Sequence, residues 1–266
     1  MVYEKFRNEV ARVLEEEAKP APWNEIRARS AALKQKAPYH VYVQKLQGDI
    51  GLVRFKRANK TVWALRKWFE EGKFKELLPE KVRFTILSVT NTHAIAADEY
   101  RALKRIYPVK TGLKRWDVIE AEVEDFFPEE DKRPESIRVR EDGLKHVRRI
   151  EAVEEQLKIA EKIAESGEFL HTDAWKGKTL GMTRPRFRCF YFYDHKCQFF
   201  CDQRVCVGHD MSVEEGEVEI SGDKVFFVLE AAEREGGGEF IWEKSRVVWC
   251  ITSAISLTDP RQRRLL

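Results

Sequence analysis

Apolar residues recur at helical spacing along the first fifth of the chain and alternate, strand-like, along much of the rest. In YEKFRNEVARVLEEEA (3–18), Phe6, Val10, Val13 and Leu14 share one stripe, which predicts an amphipathic helix. Lys19-Pro20 ends it, because a residue ahead of proline is disfavoured in the α region. APWNEIRARSAALK then predicts a short second helix with Trp23, Ile26 and Ala31 on its apolar face. A third helix is expected after Pro38, carrying Val41, Val43, Leu46 and Ile50, with Gly48 and Gly51 near its end. The period then shortens: LVRF (52–55) and TVWAL (61–65) read as strands joined by the polar turn KRANK.

RKWFEEGKFKELLPEK (66–81) mixes helix and turn, and Pro79 marks the passage into a new domain. VRFTILSVT (82–90), ALKRIYPV (102–109) and WDVIEAEVEDF (116–126) are strand candidates. SIRVRE follows an acidic turn bracketed by Pro128 and Pro134. Residues 142–166 give the longest helical pattern, with Leu144, Val147, Ile150, Val153, Leu157, Ala160 and Ala164 on one stripe and Ser166-Gly167 as a stop. On that helix Lys145, Arg148 and Arg149 fall on the outer, solvated face. DKVFFVLEA (223–231) and IWEKSRVVWCITSAISL (241–257) read as a C-terminal hairpin, with Cys250 in its core and a basic, disordered tail at Arg261, Arg263 and Arg264. The expected class is α+β, with domains at 1–67 and 82–266 and a linker at 68–81.

Composition adds little on fold but something on setting. No run of eighteen apolar residues and no apolar leader is present, so the chain is expected to be soluble, cytoplasmic and without membrane contact. The charged fraction, 35% against about 25% for globular proteins at large, resembles that of thermophilic proteins.

Charge distribution changes the picture more than net charge, which is only +3. From Arg27 to Lys60 nine Lys or Arg face one acid, Asp49, whereas nine acids face two bases from Asp117 to Glu135. A localised basic face is expected. Three helices and a basic hairpin follow the order of a winged helix-turn-helix. Residues 1–67 resemble archaeal winged-helix domains in W-x-E-I at Trp23, in D-I-G-L at Asp49 and in W-x-L at Trp63. The resemblance implies a helix in a DNA groove and a hairpin on the adjacent backbone. On the third helix His40, Tyr42, Gln44 and Lys45 are the candidate contacts, with Arg54, Lys56, Arg57 and Lys60 on the hairpin and Arg27, Arg29 and Lys36 on the preceding helix and loop. A hairpin that docks a protein partner is the competing reading.

Four of five cysteines fall between 189 and 206, a clustering that favours metal over disulfide. Cys197, Cys201, Cys206 and His209 form a candidate structural zinc set of Cys3His type, with Cys189 or His195 as substitutes for Cys197. Buried cysteines without metal, or an iron–sulfur cluster, remain alternatives. If FRCFYFYDHKCQFFC (187–201) is one strand, Cys189, Cys197 and Cys201 share a face. RPES (133–136) reads as an Arg133–Glu135 pair fixing a turn, with a phosphate clamp as the alternative.

IYPV (106–109), WDVIE (116–120), RPESIRV (133–139), LGMTRP (180–185) and Cys201, Cys206, His209 and Met211 occur in an order that resembles an uncharacterised prokaryotic family, from which Gly216 departs. That resemblance implies no activity; together with the strand spacing it suggests an OB-type or similar small barrel in the middle. No Walker loop, dinucleotide fingerprint, G-x-S-x-G elbow or H-E-x-x-H occurs. The expectation is a non-enzymatic nucleic-acid-binding protein, DNA favoured, with structural zinc. Its rivals are an interaction subunit of a larger nucleic-acid-processing or defence complex and an enzyme acting on nucleic acid.

Overall fold

The computed structural model describes residues 2–38, 40–57, 60–109, 112–126, 128, 131, 133, 135–165, 178–185, 189–193, 196–197, 210–211, 217–221, 224–233 and 247–257. The protein is mixed α+β and divides into two compact units, Met1–Glu80 and Lys81–Leu266.

In the first unit, helix α1 (Tyr3–Glu17) buries Phe6, Val10, Val13 and Leu14, the stripe its sequence presents. The left-handed Ala18 closes it, its N–H bonding Leu14 O at 3.0 Å. Helix α2 (Trp23–Ala28) stops before Ala31, which is exposed; Leu33 reaches the core instead. Helix α3 (His40–Asp49) buries Val43 and Leu46. Strands β2 (Leu52–Arg57) and β3 (Lys60–Leu65) form the expected hairpin, and β1 (Ala21–Pro22) adds to β3. Helix α4 (Arg66–Glu70) then buries Trp68 and Phe69.

The second unit contains a closed barrel. It is built from β4 (Lys81–Val89), β5 (Ala94–Asp98), β6 (Leu103–Tyr107), β7 (Asp117–Asp125) and β8 (Ser136–Arg149), in the order β4-β5-β6-β8-β7. β6 and β8 run parallel; the other neighbours are antiparallel. Alternate residues fill the interior: Phe84, Ile86, Ala94, Ala96, Ile106 and Ile119 all lie within one fully buried cluster. The opposite parity, Ile95, Ala97 and Leu103, packs outward against a second layer. That layer comprises helix α5 (Val153–Ile163) and part of a sheet that includes β9 (Leu180–Thr183), β14 (Val225–Glu233) and β15 (Val247–Ser256).

Two expectations fail here for identifiable reasons. Residues 142–149 belong to strand β8, not to the first two turns of a helix; only 153–163 is helical. Leu144, Val147 and Ile150 fit a helical stripe, but pairing of Leu144–Arg149 with Asp117–Ala121 wins, and Val147 is left 42% exposed. Lys145, Arg148 and Arg149 are therefore exposed strand residues. Gly143 lies in the bulged stretch of β8 between Val139 and Leu144, where β7 approaches so closely that a Cβ would stand 2.7 Å from Glu122 Cβ. Gly143→Ala should cost about 1–3 kcal/mol in denaturant unfolding; a change near zero would mean that the bulge relaxes freely.

The second failure concerns FRCFYFYDHKCQFFC, which is not one strand. Strand β10 (Cys189–Tyr193) pairs antiparallel with β11 (Lys196–Cys197), so the parity that placed Cys189 and Cys197 on one face does not apply. β11 also pairs at Lys196↔Asp210 with β12 (Asp210–Met211), and strand β13 (Glu217–Ser221) pairs with β10. Cys250 on β15 is half-buried, between the buried Trp249 and Ile251.

Candidate nucleic-acid interface and a buried ion-pair network

The hairpin of the first unit presents its cations outward. Lys56, Arg57 and Lys60 are exposed at the tip, and Arg57 stands directly opposite Lys60 in the register. Like charges facing each other across strands destabilise a hairpin, by roughly 0.2–1 kcal/mol. The sequence from 50 to 69 contains no carboxylate. The single acid between 27 and 60 is withdrawn from the surface: the Asp49 side chain is 2% exposed and accepts the Tyr3 hydroxyl at 2.6 Å, with Arg7 at 3.9 Å.

The remaining candidates divide. Lys36 is exposed, and Arg54 is half-buried on β2 opposite Trp63. Arg29 is exposed but salt-bridged to Glu17 at 2.9 Å, and Arg27 donates to the Gln35 carbonyl at 3.5 Å. Tyr42 packs inward, its ring 5.2 Å from Tyr3 and 5.5 Å from Phe6, and Lys45 Nζ sits 4.9 Å over the Tyr3 ring. Both therefore serve the α1–α3 contact. His40 and Gln44 lie on α3, and their side chains fall outside the described residues. So do Cys201, Cys206 and His209 entirely, and the side chain of Cys197.

The second unit holds a polar network that periodicity could not announce. Arg105, on the outward parity of β6, is 0% exposed. Its Nε and Nη2 lie 2.7 and 2.6 Å from Glu230 Oε1, brought by β14. Arg133 Nη1 reaches the same oxygen at 3.2 Å, and His93 Nε2 lies 3.1 Å from Oε2. Arg105 also donates to Ser136 Oγ at 3.3 Å and to Thr179 Oγ1 at 3.4 Å. Beside it Asp131 Oδ2 accepts from the Tyr107 hydroxyl (2.6 Å), Arg133 Nη2 (2.7 Å) and Ser136 Oγ (2.7 Å).

The expected Arg133–Glu135 pair does not form. Arg133 binds Asp131 and Glu230, while Glu135 accepts from the Thr179 N–H (3.0 Å) and hydroxyl (2.6 Å). Arg133 turns to Asp131, the acid two residues before it, and to the distant Glu230, while Glu135 turns to the distant Thr179.

Burial pushes Asp131 up, but the hydrogen bonds from Arg133, Tyr107 and Ser136 outweigh it and hold the carboxyl well below its ordinary range. Glu230 behaves alike, burial being overcome by His93 and Arg105. Burial raises the Tyr107 phenol, and its bond to Asp131 raises it further. Depressed carboxyl values mean that the stabilisation is complete above the unfolded-state value of about 4 and is lost as pH falls through the folded-state values. Acid titration of Asp131→Asn should therefore show a shallower loss of stability below about pH 4 than the parent chain; identical curves would remove Asp131 from the account.

Among the described residues no helix is long and apolar enough to cross a membrane. Compared with models of known protein families, with curated proteins and with solved structures, the chain gives no match.

Proposed function

We propose that this is a non-enzymatic nucleic-acid-binding protein, DNA favoured, whose first unit is a winged helix-turn-helix. The observation that carries the reading is the exposed Arg57–Lys60 pair with Lys56 at the hairpin tip, on a segment whose one acid is buried. A like-charge pair facing across two strands is costly alone and favourable against phosphate. Three helices ahead of the hairpin supply the order of a winged helix, and the barrel order β4-β5-β6-β8-β7 with β6 parallel to β8 is that of an OB-type barrel. Binding of a mixed-sequence DNA duplex at low salt, weakening as salt rises, tests the reading; no binding at low salt would overturn it.

A protein-docking role for the same hairpin is the second reading. The inward packing of Tyr42 and Lys45 favours it, because it leaves α3 fewer side chains for a groove. Structural zinc held by Cys197, Cys201, Cys206 and His209 belongs to the same proposal. Backbone pairing of β11 with β12 supports it, since these strands carry Cys197 and the residue after His209. Elemental analysis of the purified chain should give about one zinc per molecule, lost on His209→Ala; a metal-free protein would end the zinc reading.

A further inference from the structure

In barrels of this strand order the second and third strands form the face that takes oligonucleotides, flanked by the loop between the first two strands and the loop between the last two. Here those strands are β5 and β6, and the loops are residues 90–93 and 126–135.

That face is already covered. Ile95 and Ala97 of β5 and Leu103 of β6 lie in one buried cluster with Leu180, Met182, Phe226 and Val228 of the second layer. Arg105, the remaining outward residue at the centre of β6, is sealed beneath Glu230. Both flanking loops are tied to the same carboxylate, one through His93 and the other through Arg133. Glu230 thus sits among two guanidiniums and an imidazole, as an anionic group of a bound strand would.

We propose that the barrel's ligand face is occupied in cis by the β9–β14–β15 layer, with Glu230 as its resident anion, so that the barrel takes no nucleic-acid strand. The described outer surface of the barrel agrees. Among the second unit's residues whose side chains are described, no Phe, Tyr or Trp is exposed as a stacking platform for bases would be: Phe84, Trp116, Phe226, Phe227 and Trp249 are buried, and Tyr100, Tyr107 and Phe126 half-buried. On the exposed side of the barrel, charges alternate and pair: Lys81 with Glu122 at 2.9 Å, Arg83 with Glu120 at 3.7 Å, and Arg140 with Glu122 at 3.6 Å. That side is a neutralised, solvated face. Uncovering β5 and β6 would expose every apolar residue of the seam together with Arg105. The layer is therefore a fixed part of the fold.

The consequence rests on the reading proposed above: nucleic acid is held by the hairpin unit alone, as duplex. Single-strand affinity should be weak and should depend on the same three cations. The test uses the full chain and the variant Lys56→Ala/Arg57→Ala/Lys60→Ala, each titrated against a fluorescent oligothymidine and a DNA duplex of equal length. The parent should bind duplex at least about tenfold more tightly than oligothymidine, and the variant should lose both. Oligothymidine binding that survives in the variant would overturn the inference, because it would locate a strand site in the second unit. A parent chain that binds neither probe would overturn the duplex reading and leave the covered barrel face in agreement with the result.

Discussion

Arg105→Leu is expected to lower the stability of the second unit by about 3–5 kcal/mol, read from the denaturant midpoint with the slope unchanged. Arg105 is fully buried and supplies two short bonds to Glu230, besides those to Ser136 and Thr179. Leucine fills part of its volume but leaves Glu230 in the interior with only the more exposed Arg133 and His93 as counter-groups. Removing one partner of a buried pair costs more than the pair is worth, because the other charge stays desolvated. The double variant Arg105→Leu/Glu230→Leu should therefore lose less than the two single losses added together. A single-variant change under about 1 kcal/mol would show that the guanidinium is hydrated and that the network does not hold the layer.

The hairpin variant Lys56→Ala/Arg57→Ala/Lys60→Ala should do the reverse, leaving the fold intact while removing affinity. Its three side chains are exposed, and deleting the Arg57–Lys60 opposition removes a repulsion. Unfolding stability should stay within about 0.5 kcal/mol of the parent or rise slightly. Duplex affinity should fall at every salt concentration, most steeply at low salt, where phosphate contacts contribute most. Loss of stability together with affinity would mean that the cations are structural.

How much of this was legible in the sequence depended on range. Stripes such as Phe6, Val10, Val13 and Leu14 were readable because each helix buries one face against its nearest neighbours. The barrel was foreshadowed by strand spacing, yet β5 was not anticipated: Ala94, Ile95, Ala96 and Ala97 are all buried, so no polar alternation marks them. Residues 144–150 misled because a three-residue recurrence suits a helix, while the deciding contacts came from Asp117–Ala121. Arg105 was invisible for a similar reason. Its outward parity on β6 reads as solvent exposure until β14 brings Glu230 from far along the chain. In the first unit the excess of cations from 27 to 60 was plain, but the packing of Tyr42 and the burial of Asp49 were not, because both depend on Tyr3, far back at the start of α1.

On the proposed reading, the hairpin tip meets phosphate. The most direct measurement is the slope of log affinity against log salt for a DNA duplex, compared between the parent chain and the three-alanine variant. The account predicts a slope shallower in the variant by about one unit per lost contact, about three in all. Equal slopes for the two proteins would contradict it.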